Sequence, residues 1–288
     1  MEKLLHKWDI DELAAIFKQA GSIALDYYES PPAELKDDLT VVTAADKAIE
    51  QLFSEYCDHA DKHIYIIGEE TIDKHSEEYV QEALQAECCW VLDPIDGTAA
   101  YSSYLPTWGI SLGLLSKGKL IEGAIYMPVQ DSLLVTCNGK IFTRQLCNES
   151  NWQEFIPRVS PLGSNGHITI GQSVAHNWGY SGSNQLFALC SCVGACYWLI
   201  NGKFSGYCGT FKLWDMAGVL PLLAACGYHS VDLTAPSRVV SLDLRDGFFE
   251  LAPGKNRWRV TTTVLIAADQ EMLLHFQKNF YKLNTGNQ

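Results

Sequence analysis

Residues 88–98 read Cys-Cys-Trp-Val-Leu-Asp-Pro-Ile-Asp-Gly-Thr, a short apolar run that ends at two closely spaced carboxylates. The apolar part predicts a buried strand, and the polar part predicts a functional loop at its end. Pro94 restricts Asp93 to an extended conformation, and the two-residue spacer lets Asp93 and Asp96 turn inward around a tight loop. Gly97 can take positive φ, and the Gly-Thr-Ala-Ala that it begins predicts a helix whose free amides would bind an anion at the same point.

Two further acids stand at the edges of apolar runs. Glu69 follows the predicted buried strand 63–68, and Asp215 opens a predicted helix. Because neighbouring strands deliver residues to one edge of a sheet, we expect Glu69, Asp93 and Asp96 to meet at one point. Carboxylates this close repel one another unless they are protonated or bind cations, and an oxygen-only cluster without His or Cys suits Mg²⁺ better than zinc.

Each acid also has a purely structural interpretation. Asp before Pro and Asp before Gly are common turn formers, and Glu69 alone is compatible with a solvated strand end. Asp46 lies three residues after Thr43, as the acid of a capping box does, and Asp215 can merely complement the amino end of its own helix. The combination of the acids favours a site over these separate interpretations.

The pattern of apolar residues predicts a layered α/β sandwich of sheets and helices. Residues 108–144 show the short strands and tight turns of an antiparallel meander. No repeat of fixed period occurs, so a solenoid or propeller is not expected. The predicted helices cover 10–28 (ending before Pro31-Pro32), 43–56, 76–86, 184–200, 214–226 and 269–281, and the other predicted strands cover 63–68, 88–92, 167–171, 239–244 and 259–266.

The composition describes an acidic globular chain. Of 288 residues, 47% are hydrophobic and 19% are charged, and 21 Lys and Arg against 34 Asp and Glu give a net charge of −13. This balance disfavours nucleic-acid scaffolding and binding to anionic lipid, because both need clustered cations. An anionic substrate would need a bound cation to reverse the local charge.

Length and residue pattern predict one domain over residues 1–288, divisible into a metal-site half, 1–150, and a substrate-pocket half, 151–288. Acids near the start stand where a signal peptide is apolar, and the longest apolar stretch is broken by Asp215 and Pro221, so we expect a cytoplasmic protein without membrane association. The ten cysteines lack the spacing of a disulfide framework or of a CxxC zinc pair, which predicts buried, reduced thiols.

The ordered acids resemble the motifs of the inositol monophosphatase family of metal-dependent, typically lithium-sensitive phosphatases. The matching stretches, in the family's order, are Val42-Thr-Ala-Ala-Asp46, Gly68-Glu-Glu-Thr71, Trp90 to Thr98 and Trp214-Asp-Met-Ala-Gly218. Asp-Pro-Ile-Asp-Gly-Thr together with Trp-Asp-x-Ala is highly specific for the superfamily, and the resemblance covers most of the chain. It implies a five-layered α-β-α-β-α sandwich of the inositol monophosphatase and fructose-1,6-bisphosphatase type.

The resemblance also implies two metal sites that share one carboxylate. Glu69, Asp93 and the carbonyl of Ile95 would hold one Mg²⁺. Asp93, Asp96 and Asp215 would hold a second, with Asp93 bridging, and two or three ions per site are expected. Such ions neutralise phosphate, lower the pKa of water and stabilise a leaving alkoxide, so the implied activity is that of a Mg²⁺-dependent phosphomonoesterase.

The remaining family positions would handle water and phosphate. Thr98 and Asp46 would orient and deprotonate the attacking water on the first metal. The amides of Gly97 and Thr98 would bind phosphate oxygens. Glu70, next to a metal ligand, has no separate role. Family members are commonly dimers, so a homodimer is expected, although the sequence identifies no surface for it.

The substrate region departs from the inositol-phosphate pattern. Where inositol monophosphatases have a Glu that binds ring hydroxyls, seven residues before the Trp-Asp aspartate, this chain has Cys208. The small-residue turn that precedes this position corresponds to Cys190-Ser191-Cys192, and Lys212 is close enough to Asp215 in sequence to meet a second anionic group. Ser191, Cys208 and Lys212 are therefore the candidate substrate residues.

The substrate, a small phosphate ester, stays open among several classes. Pro106-Thr-Trp108-Gly109 and Val219-Leu-Pro221 are similar to histidinol-phosphate phosphatases, whereas Val42 to Asp46 is similar to the 3′(2′),5′-bisphosphate nucleotidases. A non-catalytic regulatory binding protein on the same fold is the alternative of another class. The altered pocket around Cys208 favours that alternative, and the complete set of metal ligands disfavours it.

Overall fold

Helices and strands interleave along the chain. The computed structural model describes residues 4–28, 33–35 and 41–283; Pro31-Pro32, before which the first helix is predicted to end, lie outside them. The helices are α1 (Ile10–Tyr28), α2 (Ala44–Cys57), α3 (Glu77–Gln85), α4 (Thr98–Ser102), α5 (Gln172–Asn177), α6 (Cys192–Ile200), α7 (Leu213–Ala217), α8 (Val219–Ala225) and α9 (Gln270–Gln277). The strands are β1 (Ala33–Leu35), β2 (Val41–Thr43), β3 (Ile64–Gly68), β4 (Cys88–Asp96), β5 (Gly109–Ser116), β6 (Lys119–Met127), β7 (Ser132–Cys137), β8 (Lys140–Arg144), β9 (Gln153–Glu154), β10 (Ile168–Ile170), β11 (Trp178–Tyr180), β12 (Leu186–Phe187), β13 (Gly206–Gly209), β14 (His229–Asp232), β15 (Val264–Ala267) and β16 (Phe280–Lys282).

Two sheets organise the described residues. The larger sheet has the order β3-β4-β5-β6-β7-β8-β9, in which β3 and β4 are parallel and the later neighbours are antiparallel. The meander predicted over 108–144 is thereby confirmed. The second sheet has the order β12-β10-β13-β15-β14 and mixes parallel with antiparallel pairs.

Three apolar clusters define five layers. α1 and α2 cover one face of the larger sheet, in a cluster that contains Ile66 and Trp90. Side chains alternate along a strand, so the next residues, Ile67 and Val91, belong to the opposite face. That face packs against α6, α7 and α8, and Ile266 of the second sheet joins the same cluster. The far face of the second sheet packs on α5 and α9, which confirms the five-layered α-β-α-β-α sandwich.

The pairing of β3 with β4 sets the position of the first two acids. Gly68 lies opposite Leu92, so Glu69 and Asp93 follow paired positions on parallel strands. The backbone N–H of Glu69 donates to the carbonyl of Leu92 at 3.3 Å. Because both strands run in the same direction, Glu69 and Asp93 lie side by side toward the carboxyl ends of the paired strands.

The loop predicted after Leu92 is wrong, because β4 continues to Asp96. The register of β4 against β5 shifts between Asp93 and Asp96, so a bulge rather than a tight loop directs the two carboxylates. The chain turns only at Gly97, whose φ is 91°.

Three predicted helices have different bounds. The helix predicted over 184–200 begins at Cys192, because Cys190 has a positive φ of 59° and Ser191 is the N-cap. The helix predicted over 214–226 is divided at Gly218 into α7 and α8. The closing helix predicted over 269–281 ends at Gln277, and the chain then pairs with β11 as β16.

Two predicted strands in the second half are also shorter than expected. Over 239–244 the described chain has two isolated bridges, from Val239 to Val231 and from Asp243 to Lys119, before a 3₁₀ turn that begins at Leu244. The strand predicted over 259–266 is confined to β15. The first segment follows β14, and the second leads into β15.

The cysteines are free thiols, as predicted, but they are not all buried. Cys147 and Cys190 are exposed, and Cys137 and Cys226 are partly buried. Across the described ranges, no helix combines the length and the apolar character needed to cross a bilayer.

Candidate metal centre

A cavity of about 540 Å³ opens at the edge of the larger sheet where β3 and β4 end. Most of the predicted site residues line it, namely Glu69, Asp93, Ile95, Asp96, Gly97, Thr98, Ser191, Lys212 and Asp215. Asp46 and Cys208 do not belong to its lining. The cavity therefore brings together four acids from three separate segments and one cation.

Three of the acids form a tight group. One carboxylate oxygen from each of Asp93, Asp96 and Asp215 lies within 4.8 Å of the other two. Asp215 reaches the group because α7 packs across β5, where the hydroxyl of Ser111 donates to the carbonyl of Trp214 at 2.9 Å. The structure thus juxtaposes acids that are far apart in sequence.

Asp93 is the most enclosed of these carboxylates. Its exposed fraction is 1%, and within the described chain its Oδ1 has no hydrogen-bond partner. Burial and the neighbouring charges of Glu69, Asp96 and Asp215 raise the pKa of Asp93 well above its usual range. A buried oxygen without a partner costs free energy, so this atom is expected to have a ligand.

Asp96 is fixed by the start of α6. Its Oδ2 accepts a hydrogen bond from the backbone N–H of Val193 at 2.7 Å and contacts the hydroxyl of Ser191. Its Oδ1 accepts from the N–H of Cys192 at 3.2 Å. Burial raises the pKa of Asp96 to about 6, although these hydrogen bonds lower it. Ser191, predicted as a substrate residue, therefore holds an acid in place and also caps α6 through the N–H of Gly194, at 2.8 Å.

Asp215 has one oxygen engaged with its own helix. Its Oδ2 accepts from the backbone N–H of Lys212 at 2.9 Å, as the third residue of α7. Burial and the charges of Asp96 and Glu69 raise the pKa of Asp215 to about 8. The helix-complementing interpretation and the metal interpretation are compatible, because the contact with the helix uses one of the two carboxylate oxygens.

Gly97 and Thr98 form the turn beside the acids. Gly97, with its positive φ, precedes α4, and a Cβ at this position would lie 2.6 Å from the Cβ of Ser191. The hydroxyl of Thr98 donates to the carbonyl of Ile95 at 3.1 Å. The close approach of two segments explains why the turn needs a glycine.

Asp46 lies at the start of α2 and is not among the residues that line the cavity. Its Oδ2 accepts from the backbone N–H of Thr43 at 2.8 Å and from the hydroxyl of Thr43 at 2.6 Å, which completes the predicted capping box. Its Oδ1 is buried without a partner among the described residues. Burial raises the pKa of Asp46 to about 7, against the hydrogen bonds from Thr43.

Cys208 lies away from the cavity. It is fully buried in the apolar cluster between the second sheet and α5 and α9. Its neighbour Tyr207 lines the cavity instead, with Thr210 and Gln172. No sequence signal marked Gln172, whereas alternation along β13 is the signal that separates Tyr207 from Cys208.

The donor set fits Mg²⁺. Each side chain in the group offers carboxylate oxygen, and Ile95 belongs to the same lining, which also contains Cys190 and Cys192 but no described His. Oxygen-only sites suit hard divalent cations. The unpartnered Oδ1 of Asp93 and the crowding of like charges are both relieved by a bound cation.

The layered fold and this acidic cavity define a known class of α/β proteins. The sequence model described as the inositol monophosphatase family matches residues 4–272. Inositol monophosphatase 2 of Solanum lycopersicum is 31% identical over 132 residues, which cover 46% of this chain and 49% of the tomato protein. The match thus spans about half the length of that relative.

Solved structures match over nearly the whole chain. A staphylococcal inositol monophosphatase-1, in a LiCl-soaked inhibitory complex, has a TM-score of 0.69 at 17% identity, covering 96% of this chain and 95% of its own. An IMPase/NADP phosphatase complexed with Mg²⁺ and phosphate has a TM-score of 0.69 at 18% identity, covering 96% of both chains. These structures share the fold. Given the match to the family model, the chain belongs to the inositol monophosphatase family.

Proposed function

We propose that this protein is a Mg²⁺-dependent phosphomonoesterase that hydrolyses a small phosphorylated metabolite. The observation that carries the proposal is the convergence of Asp93, Asp96 and Asp215 within 4.8 Å beside the turn at Gly97. Four acids in one cavity would repel a phosphate ester, and bound cations reverse that local charge. Family membership supports the same reaction class.

The acids divide between two cations. Glu69, Asp93 and the carbonyl of Ile95 would hold one Mg²⁺, and Asp93, Asp96 and Asp215 would hold a second. When bound, the ions supply charge neutralisation, a lower pKa for water and stabilisation of the leaving alkoxide. The unpartnered Oδ1 of Asp93 supports its place in both sites. A solved Mg²⁺ and phosphate complex of the same fold supports the choice of metal.

The chain's own residues position the phosphate and the water. The backbone N–H groups of Gly97 and Thr98 begin α4 and would donate to phosphate oxygens. The hydroxyl of Thr98 would orient the attacking water, and Asp46 would accept its proton. The pKa of Asp46, raised to about 7 by burial, suits a base that works near neutral pH.

The rest of the cavity narrows the substrate class. Away from the acids its lining contains Tyr207 and Ile170 together with smaller neutral groups, namely the amide of Gln172, the hydroxyl of Thr210 and the methyl groups of Ala175 and Ala188. These groups fit a hydroxylated body rather than a large apolar one. We therefore expect a polyol, sugar or nucleotide phosphate. Lys212 is the lining cation that would meet a second anionic group.

The test is phosphate release from a panel of inositol, histidinol, fructose and adenosine phosphates, with and without Mg²⁺. We expect Mg²⁺-dependent turnover of at least one member, and the preferred member separates the histidinol-phosphate and 3′(2′),5′-bisphosphate alternatives. Inorganic phosphate should bind in calorimetry only when Mg²⁺ is present. Metal binding without turnover of any ester would support a regulatory binding protein instead.

A further inference from the structure

Glu50 is a buried acid that the proposed reaction does not use. It lies on α2 one helical turn after Asp46, and its exposed fraction is 1%. Its Oε2 accepts a hydrogen bond from the backbone N–H of Glu70 at 2.9 Å, and its Oε1 contacts the hydroxyl of Thr71. One carboxylate thus holds two consecutive residues of the turn that follows β3.

The same carboxylate packs directly on the end of β3. A Cβ at Gly68 would overlap Oε1 of Glu50 and would lie 2.5 Å from its Cδ. Gly68 therefore permits the approach of Glu50, and the contacts of Glu50 with Gly68, Glu70 and Thr71 form one unit, here termed the Glu50 clasp. Glu69 lies in the same turn, between Gly68 and Glu70 of this unit.

The helix that carries Glu50 is well anchored. Its start is fixed by the capping box of Thr43 and Asp46, and Ile49 and Phe53 on either side of Glu50 are fully buried in the core. On the opposite side of the turn, the N–H of Glu69 is bonded to Leu92 of β4. Glu69 is thus held between a rigid helix and the strand that leads to Asp93.

We propose that Glu50 is a positioning residue, which fixes the turn 68–71 so that the carboxylate of Glu69 faces the cavity in the geometry that a divalent cation needs. This inference rests on the proposed function for the identity of the ligand. A buried acid costs free energy unless its oxygens are bonded, so its two contacts account for its presence. Residues that orient metal ligands through hydrogen bonds commonly have a large effect on metal affinity.

The electrostatics agree with this geometry. Burial raises the pKa of Glu50 to about 7, and the hydrogen bonds from Thr71 and from the N–H of Glu70 act in the opposite direction. The nearby charges of Glu69 and Glu70 also raise it. A carboxyl in this place serves as an acceptor for the turn and is not part of the cavity lining.

The experiment compares metal binding in variants of the clasp. Glu50→Ala removes both contacts, Thr71→Val removes one donor at nearly constant volume, and Glu50→Gln retains an acceptor of the same size. Glu122→Ala is the matched control, because Glu122 makes the same kind of contact with the hydroxyl of Thr136 in the larger sheet. The measurements are calorimetric titration with Mg²⁺ and hydrogen exchange at the amide of Glu70.

We expect Glu50→Ala to weaken Mg²⁺ binding about 10- to 100-fold, in line with the loss of groups that orient metal ligands. Thr71→Val should weaken it less, Glu50→Gln should recover most of it, and Glu122→Ala should leave it unchanged. Exchange at the Glu70 amide should accelerate in Glu50→Ala only. If Glu50→Ala does not fold, the Mg²⁺ affinities of Thr71→Val and Glu50→Gln are compared with that of the wild type instead.

Two negative results have separate meanings. If the wild-type chain binds no Mg²⁺, the proposed function is contradicted, and amide exchange alone then decides whether Glu50 holds the turn. If the wild type binds Mg²⁺ and both Glu50→Ala and Thr71→Val bind it equally well, the positioning role of Glu50 is overturned while the proposed function stands. Equal loss of binding in Glu122→Ala would also overturn it, because the effect would not depend on the turn.

Discussion

The ammonium nitrogen of Lys212 lies 3.0 Å from Oε1 of Glu69, so a cation of the chain contacts an acid that we expect to bind metal. The same side chain lies over the ring of Trp214, with the nitrogen 5.1 Å from the ring centroid. Its backbone N–H is bonded to Asp215, so Lys212 joins two of the acidic segments of the cavity. An ammonium and a divalent cation would compete for the same carboxylate.

We expect Lys212→Met to tighten Mg²⁺ binding by up to about fivefold, because a partly exposed ion pair contributes ~0.2–1 kcal/mol. Methionine keeps an unbranched apolar stem against Trp214 and removes only the charge. Lys117→Met is the control, because the ammonium of Lys117 contacts Glu87 outside the cavity. Calorimetric titration measures both variants, and unchanged or weaker binding in Lys212→Met would show that the ammonium does not compete with the metal.

Asp93→Asn should abolish phosphate release and leave the fold intact, because the amide keeps the shape of the side chain and loses the charge. In the metal-free protein, this variant should melt at a higher temperature than the wild type, since burial and repulsion from Glu69, Asp96 and Asp215 disfavour the charged form of Asp93. Asp131→Asn is a control for which we expect the opposite change, a lower melting temperature. Asp131 accepts hydrogen bonds from the backbone N–H groups of Leu146 and Cys147, at 2.8 Å and 2.9 Å.

Full activity in Asp93→Asn would refute the two-metal assignment. Melting curves in a chelator and in excess Mg²⁺ complete the test of Asp93. We expect Mg²⁺ to raise the melting temperature of the wild type and to have little effect on the variant.

Ser191→Ala separates a capping role from a role in the site. Loss of an N-cap serine costs about 1 kcal/mol, and this cost should appear in the free energy of unfolding. Ser76 also caps a helix, through the N–H of Tyr79 at 3.2 Å, and it lies outside the cavity. Ser76→Ala should therefore lose similar stability and keep its activity, whereas Ser191→Ala should also weaken Mg²⁺ binding through Asp96. Equal activity in the two variants would show that the contact between Ser191 and Asp96 has no influence on the site.

Local patterns in the sequence were sufficient to predict much of the site. Apolar runs of five residues that end at acids predicted β3 and β4, and the spacing of Thr43 and Asp46 predicted the start of α2. Each of these features depends on neighbours within a few residues. The parallel pairing that joins Glu69 to Asp93 then follows from the order of the strands.

The errors lie where tertiary contacts override local preference. Residues 184–200 are apolar enough for one helix, but Ser191 and the amides of α6 bind Asp96, which fixes the helix start at that point. Phe280 has the periodicity of a helix and instead pairs with Tyr180 in β11. Glu50 was not identified because a glutamate on a helix usually faces solvent, and only the packing of α2 on β3 shows that it is buried.

Gly97→Ala should impair the site more than backbone strain alone explains. A non-glycine residue in the left-handed region costs about 1–2 kcal/mol, and Gly139 has a comparable φ of 74°. A Cβ at Gly139 would meet nothing within 4 Å, whereas one at Gly97 would press on Ser191. Both variants should lose similar stability from strain, but only Gly97→Ala should lose phosphate release and Mg²⁺ affinity. Equal activity in the two variants would show that the turn at Gly97 is not part of the site.

The metal-free protein should become less stable as pH rises from about 4 to about 7. Burial raises the pKa of Asp46 from 3.8 to about 7 and that of Glu50 from 4.5 to about 7. The unfolded chain therefore releases these protons at lower pH than the folded chain, so the stabilisation present below the unfolded pKa values is lost as pH rises through the folded ones. Melting temperatures measured in a chelator across this range should fall, and the fall should be smaller in Glu50→Gln, which carries no proton at this position to lose. A melting temperature that rises with pH in the metal-free wild type would contradict this prediction, and the same slope in Glu50→Gln would show that Glu50 does not contribute to the fall.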